Sequence, residues 1–391
     1  MKRKVLFITP FLMQGGVEHS LITALSGLDY NLFDVTLYLY KDELTLLPDV
    51  PPPVHVKIGI DNTHYYRYPY SVILYAFSKI SSVLHCKKAQ SYFNDLLSNY
   101  IHKKRVFYPW RRFFSKEHFD VVISYCLHLG TEMALTISAE KHFLFLHNSH
   151  TEYHADIFEK CMTKYDSIFA VNSLVRDIYV KSYPQLIHKL FILENYIDVN
   201  RIITLSKDKM DSSIILDKEW IIATCGRMST EKGFDLAVGA ADYLNKHEVS
   251  FIWLFIGDGN ERSRIEKIIE KYQLGNQIII TGLKNNPFPY MASSNIYVQP
   301  SYEEAQPLVL LEAMALGKPI VSTKTVGGKS ILDEGKKGVL TDFSSESIAK
   351  GILSLINCPE KRSTFENLFS IEDDQRNRQS YYDKWEKILL Q

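Results

Sequence analysis

The chain has 391 residues, of which 45 are Lys or Arg and 45 are Asp or Glu, so its formal net charge is zero; 46% of it is hydrophobic. That length is long for one core and suits two α/β domains of roughly 150 to 200 residues each, and the charge balance excludes a bulk nucleic-acid binder. Cys86, Cys126, Cys161, Cys225 and Cys358 lie far apart with no paired spacing, which argues against a disulfide framework or a thiolate zinc site and fits a reducing cytoplasm.

Val5 to Thr9 is an apolar run too short for a signal peptide, and no run of about 20 apolar residues marks a membrane span. It reads as a first buried strand, followed by a loop with Gly15 and Gly16 and then by Val17, Leu21, Ile22, Leu25 and Leu28 at helical spacing. Strand, double glycine, helix is a phosphate-facing arrangement, although glycine pairs also serve ordinary tight turns. Asp34 to Tyr40 reads as a second strand, and Pro48 to Pro53 as a turn.

Between Lys79 and Lys116 there are nine Lys or Arg (Lys79, Lys87, Lys88, Lys103, Lys104, Arg105, Arg111, Arg112, Lys116) against one acid, Asp95, with eight interleaved aromatics from Tyr92 to Phe114. Such a stretch can lie on an anionic membrane surface from the cytoplasmic side, each cation contributing about 1 kcal/mol. It can equally be a solvated helical face whose aromatics enter a core. Phe119 to Tyr125 and His142 to Leu146 read as later strands, which places His147 at a strand's carboxyl end, where ligands of α/β sheets collect. His147, His150 and His154 have helical spacing, but no thiol or ordered carboxylate pattern accompanies them, and an exposed loop explains them without a metal.

The Lys- and Asp-rich stretch Lys207 to Lys218 reads as a linker and hinge, and Trp220 to Thr224 as the strand that opens a second domain. Cys225-Gly226-Arg227 and Glu231-Lys232-Gly233 then precede a helix from Phe234 to Leu244. Two cations on a loop at a helix start make a diphosphate site, and an ordinary surface pair with Glu231 is the alternative. Phe251 to Gly259 and Ile278 to Leu283 are strands that end in ligand-facing turns, and Asn295 to Gln299 is a strand that ends at Pro300. Pro307 suits a helix start, and Leu308 to Leu316 is made of strong helix formers closed by Gly317 and Pro319. Within this apolar helix Glu312 is costly to bury unless ligand hydroxyls, a cation or a neighbouring loop partners it. A polar helix from Asp373 to Leu390 carries Trp385, Ile388 and Leu389 on one side.

Glu304 and Glu312, with seven residues between them, resemble the Glu, seven residues, Glu motif of the family-4 retaining glycosyltransferases, of the type that builds bacterial surface polysaccharides. Gly-Arg with Glu-Lys-Gly resembles that family's phosphate motif, Gly15-Gly16-Val17-Glu18 its first loop, and Asn195-Tyr196-Ile197-Asp198 its Asn-Gly-Val-Asp signature, with Tyr196 in the glycine place. The resemblance covers nearly the whole chain and is firmest from Trp220 to Thr341.

It implies the GT-B fold, two facing Rossmann-like α/β domains with parallel sheets. Residues 1–200 with the returning helix 373–391 would form the acceptor side, and residues 201–372 the nucleotide-sugar side. It further implies that Glu304 holds donor-sugar hydroxyls, Glu312 the ribose, Arg227 and Lys232 the diphosphate together with the amides of Pro307 to Val309, including Leu308. Gly257 and the turn at Leu283 would border the nucleobase, Gly15 and Gly16 would lie between donor phosphate and acceptor, and His147, with His150 as fallback, would be the active-site histidine.

The expected reaction moves a sugar from a nucleoside diphosphate sugar, UDP-linked, to a hydroxyl of a glycan or lipid-linked glycan, with retention and with no metal or other cofactor. No Asp-x-Asp sequence, the usual holder of a divalent ion on a nucleotide sugar, is present. A GT-B nucleotide-sugar epimerase would not be expected to carry Glu304 and Glu312 in this form, and a non-catalytic partner subunit would be expected to have lost Arg227, Lys232 or one glutamate.

Overall fold

The structure, a computed structural model, describes residues 2–13, 15–40, 43–59, 76, 80, 114, 116–127, 129–147, 155–366 and 371–391. The basic stretch from Lys79 to Lys116 falls almost wholly outside these residues, as do His150 and His154.

The apolar runs form strands buried on both faces, as a parallel sheet covered by helices requires. Strands β1 (Arg3–Thr9), β2 (Phe33–Leu39), β3 (His55–Ile58), β4 (Phe119–Ser124), β5 (Ala139–Leu146), β6 (Ser167–Ala170) and β7 (Leu190–Ile192) make a sheet in the order β3-β2-β1-β4-β5-β6-β7. Strands β8 (Trp220–Cys225), β9 (Phe251–Ile256), β10 (Ile278–Gly282), β11 (Ile296–Gln299), β12 (Ile320–Thr323) and β13 (Val339–Thr341) make a second, in the order β10-β9-β8-β11-β12-β13. The pairings within both sheets are parallel. In each sheet the strand order reverses beside its first strand, between β1 and β4 and between β8 and β11. The loops leaving those strands' carboxyl ends therefore diverge and open a crevice.

The chain passes between the sheets twice. The first passage is at Leu193–Ile197, because the helix that follows, Val199–Leu205, already buries Val199 and Ile202 against Ile221, Ile252 and Leu310 of the second sheet's core. This differs from the expected hinge at Lys207–Lys218. That stretch is exposed surface tied to the second domain, with Asn286 Nδ2 donating to Asp208 at 2.9 Å and the Asp211 amide to the Tyr290 hydroxyl at 3.2 Å. Its charge reflects solvation rather than a linker.

The second passage is the helix Ile371–Leu389, whose Trp385, Ile388 and Leu389 are buried against Phe7, Leu25 and Phe145 of the first sheet's core. The Phe145 and Trp385 rings stack with centroids 5.0 Å apart. The passages meet where the buried Tyr196 donates its hydroxyl to Asp374 Oδ1 at 2.9 Å and packs on Tyr381. The Tyr196 ring thus ties the crossover to the returning helix. Asp374 is 2% exposed and its other oxygen has no partner among the described residues. Tyr196→Phe should therefore destabilise the fold by about 1 to 3 kcal/mol, the cost of a buried acceptor left unmet, read as a lower urea midpoint at unchanged slope.

A candidate active site in the cleft

Since β8 and β11 are neighbours, the loops leaving them are neighbours too. Strand β8 runs into Gly226 and Arg227, a short 3-10 turn at Thr230–Lys232, and Gly233. Gly233 has φ +65°, and a Cβ there would lie 2.1 Å from the Pro300 carbonyl oxygen, so only glycine lets the loop approach the end of β11 this closely. The Tyr302 amide donates to the Glu231 carbonyl at 2.8 Å and joins the two loops.

This approach sets Lys232 Nζ 2.6 Å from Glu304 Oε1. The same oxygen accepts from Ser301 Oγ at 2.9 Å and from Gln299 Nε2 at 3.0 Å. Three donors therefore converge on Oε1, while Oε2 has no partner among the described residues. A carboxylate held by one oxygen and open at the other is set up to receive hydroxyl donors. The side chain of Arg227, on the exposed part of the same loop, makes no hydrogen bond or ion pair among the described residues.

Beyond Glu304 the chain enters the helix Leu308–Ala315, with Pro307 as its N-cap rather than inside its first turn. Pro307 packs under Gly327, where a Cβ would meet its Cδ at 2.5 Å, and the Gly327 amide donates to the Glu304 carbonyl at 2.9 Å. The first-turn amides, Leu308 and Val309 among them, have no intrahelical acceptor and face outward with the positive end of the helix dipole. The start of this helix lies against the first domain: a Cβ at Gly16 would lie 3.8 Å from Leu308 Cδ1.

Glu312 has no hydrogen-bond or ion partner among the described residues, and burial pushes its carboxyl up to about 7. Its charge is felt by Cys225 and Tyr297, whose own pKa values burial raises first. At the ends of β9 and β10, Gly257 (φ +140°) and Gly282 (φ +73°) pair through the Gly257 amide and the Gly282 carbonyl at 3.1 Å, and Leu283 stands 59% exposed beside them.

From the first domain, Glu18 folds back over its own helix Gly16–Ser26, so that a Cβ at Gly15 would lie 2.3 Å from Glu18 Oε2. Burial raises the Glu18 carboxyl, an effect opposed by its own backbone amide and by the charge of Arg227 across the cleft. His147, just past β5, packs on Tyr125 with ring centroids 4.8 Å apart and planes tilted by 44°, and burial pushes its imidazole down to about 4, partly offset by a hydrogen bond to the Tyr125 backbone. It is therefore neutral at pH 7, and its buried Nε2 has no partner among the described residues. Asn172 Nδ2 donates to the Ala305 carbonyl at 2.7 Å, and Asn195 Nδ2 to Gln306 Oε1 at 2.7 Å, so the loops after β6 and β7 hold the loop that carries Glu304.

The structure thus brings Arg227, Lys232, Glu304, Pro307, Leu308, Val309 and Glu312 around one switch point, with Gly15, Gly16 and His147 on loops of the facing domain and Gly257 and Leu283 at adjacent strand ends. Sequence reasoning missed Gln299, Ser301 and Asn172. The available signal for Gln299 was a glutamine closing an otherwise apolar strand, Ile296-Tyr297-Val298-Gln299, which alternation alone marks as a strand end.

Two Rossmann-like parallel sheets facing across a cleft are shared, over 99% of this chain and 99% of the other, with Anabaena HepE in complex with UDP and glucose (16% identity, TM-score 0.68). This is the GT-B fold. Within it, residues 206–367 match the sequence model of the family described as glycosyl transferases group 1. A lipopolysaccharide core biosynthesis glycosyltransferase, LpsE of Rhizobium meliloti, is 25% identical over 166 residues, 42% of this chain and 47% of its own. A glycosyltransferase of Methanocaldococcus jannaschii, MJ1069, is 26% identical over 401 aligned positions, 94% of this chain and 95% of its own. The match to LpsE spans about half the length of that relative. In this GT-B chain no described helix is long and apolar enough to cross a membrane.

Proposed function

We infer that this chain transfers a hexose from a UDP-linked sugar to a hydroxyl of a glycan or lipid-linked glycan, with retention, in the assembly of a cell-surface polysaccharide. The observation that carries the reading is the convergence of Lys232, Glu304, Glu312 and a helix N-terminus on one switch point of the second sheet, opposite the double glycine of the first. In support stand the family match over residues 206–367, the lipopolysaccharide role in the name of LpsE, and the HepE complex with UDP-glucose, which has the same fold.

In this reading Arg227, Lys232 and the first-turn amides of Leu308–Ala315 meet the diphosphate, as a helix N-terminus with flanking cations does for any phosphate. Glu304 Oε2 takes sugar hydroxyls, Glu312 takes ribose hydroxyls, and neutral His147 flanks the sugar from the first domain. The bond from the anomeric carbon to the phosphate oxygen breaks as the acceptor oxygen bonds to the same face. The departing phosphate oxygen takes the acceptor proton. No carboxylate is assigned as nucleophile, so the acceleration comes from positioning and from cations that meet charge growing on the diphosphate.

The deciding experiment is turnover across a panel of nucleotide sugars with product anomers read by NMR; no turnover, or inversion, overturns the reading. Because protein cations are assigned to the phosphates, activity should persist in excess EDTA. Abolition by EDTA with rescue by Mg²⁺ or Mn²⁺ would remove the metal-free mechanism. The stretch from Lys79 to Lys116 is proposed as the contact with an anionic cytoplasmic membrane face. Replacing Lys103, Lys104, Arg105, Arg111 and Arg112 by Gln should release the protein from anionic vesicles at low salt, and a wild type that never binds them would end that proposal.

A further inference from the structure

Behind Glu304 lies a chain of buried hydrogen bonds that runs from the end of β8 to its carboxylate. The Cys225 amide donates to the Tyr297 hydroxyl at 3.2 Å, and the one proton of that hydroxyl has two acceptors in reach, Gln299 Oε1 at 3.0 Å and the Cys225 carbonyl at 3.2 Å. Gln299 Nε2 uses its two protons on Ser301 Oγ at 2.7 Å and on Glu304 Oε1 at 3.0 Å, and Ser301 Oγ passes its own proton to Glu304 Oε1 at 2.9 Å. Tyr297 and Ser301 are 0% exposed and Gln299 2%.

Donor counting fixes the direction of this chain. Glu304 ionised is an acceptor only, so the group facing it must be the amide nitrogen of Gln299, and the amide oxygen then faces Tyr297, which has a proton to give. The flipped amide would set an oxygen against the Glu304 carboxylate. Tyr297, beside Glu312, faces the Gln299 amide oxygen with a hydroxyl, and the Gln299 amide nitrogen holds Glu304.

We propose that Gln299 is a positioning residue for sugar transfer: it fixes Glu304 by Oε1 so that Oε2 is presented to the donor sugar. This rests on the assignment of Glu304 to the sugar made above. The ion pair with Lys232 alone would leave the carboxylate free to turn about a single contact, and would draw both groups toward each other when the diphosphate needs Lys232. Donors from Gln299 and Ser301 keep Glu304 in place as Lys232 shifts to the phosphate.

The test uses Gln299→Leu and Gln299→Glu in the full chain. Gln299→Leu removes one donor from Glu304 and one from Ser301 and leaves the Tyr297 hydroxyl to the Cys225 carbonyl, so kcat should fall roughly 5- to 150-fold, the rate equivalent of one unmet buried polar group, while UDP affinity stays within about twofold. Gln299→Glu carries the sharper signature. Protonated, its carboxyl accepts from Tyr297 and donates to Glu304; ionised, it opposes Glu304, and the like charge and burial raise its pKa. Its activity should approach wild type at low pH and fall as pH rises, relative to the wild-type profile. Wild type without turnover of any nucleotide sugar removes the transferase reading and this proposal with it. Wild-type turnover with unchanged kcat in Gln299→Leu, equal loss of UDP affinity and kcat, or a wild-type pH profile in Gln299→Glu overturns the proposal alone.

Discussion

Replacing Lys232 by alanine is expected to weaken nucleoside diphosphate binding roughly ten- to a hundredfold, to leave nucleoside binding nearly unchanged, and to lower kcat by about 10² to 10³. The affinity loss follows from removing one charge-assisted contact to phosphate, typically about 1.5 to 3 kcal/mol. The larger kinetic loss has two sources. Negative charge on the diphosphate is greatest as the sugar bond breaks, so a cation placed there stabilises the transition state more than the ground state. In addition, Lys232 Nζ is one of three donors on Glu304 Oε1, at 2.6 Å, and its removal also loosens the carboxylate assigned to the sugar. Titration calorimetry with UDP and uridine, beside steady-state kinetics, separates these effects. Equal affinity losses for both ligands would move Lys232 away from the phosphates. Lys232→Arg should restore only part of the rate, because a planar guanidinium cannot occupy the position of a compact ammonium without displacing Glu304.

Eight strands of the two sheets were legible because a parallel sheet buries both faces and writes continuous apolar runs such as Val5–Thr9 and Phe251–Ile256, whereas β3, β6, β7, β12 and β13, of three or four residues each, are too short to write such a run and went unread. The site was legible where glycine and charge coincide: Gly233 stands out because the loop must pass close to Pro300, and Glu312 because a carboxyl inside an apolar helix demands a partner. The crossover was not. A short linker packed on both sides, as Leu193–Ile197 is with Leu193, Tyr196 and Ile197 buried, carries no run of charge or glycine to mark it, while the charged stretch after it only records exposure. Gln299 stayed hidden for a related reason. Its role depends on β11 lying beside β8, so that Tyr297 and Cys225 stand behind it, and adjacency of strands far apart in sequence is written in no local pattern.

Glu312→Gln should abolish a pH dependence of nucleotide binding that the wild type shows. Burial raises the Glu312 carboxyl from its ordinary 4.5 to about 7, so in the free protein it is largely protonated at pH 6 and ionised at pH 8. Folding that raises an acid's pKa makes its ionised form a cost: the contribution of Glu312 to stability is greatest below about pH 4.5 and declines as pH climbs to about 7. Bound ribose reverses that preference, because two hydroxyls donating to the carboxylate favour its charge and bring the pKa down. Binding then releases a proton below pH 7. UDP affinity should rise by up to tenfold per pH unit on approaching pH 7 from below, then level off. The amide introduced by the substitution cannot ionise, so the variant's affinity should be flat over this window and weaker than wild type at pH 8, where a neutral amide replaces a charged acceptor. A deoxyribose analogue lacking one of the two hydroxyls should show a shallower slope on the wild type and no further loss on the variant. Proton release measured by calorimetry in buffers of different ionisation enthalpy gives the same quantity independently. A wild-type affinity that is flat from pH 6 to pH 8, or a variant that keeps the slope, would place the ribose elsewhere and leave Glu312 as a buried carboxyl whose partner is not the nucleotide.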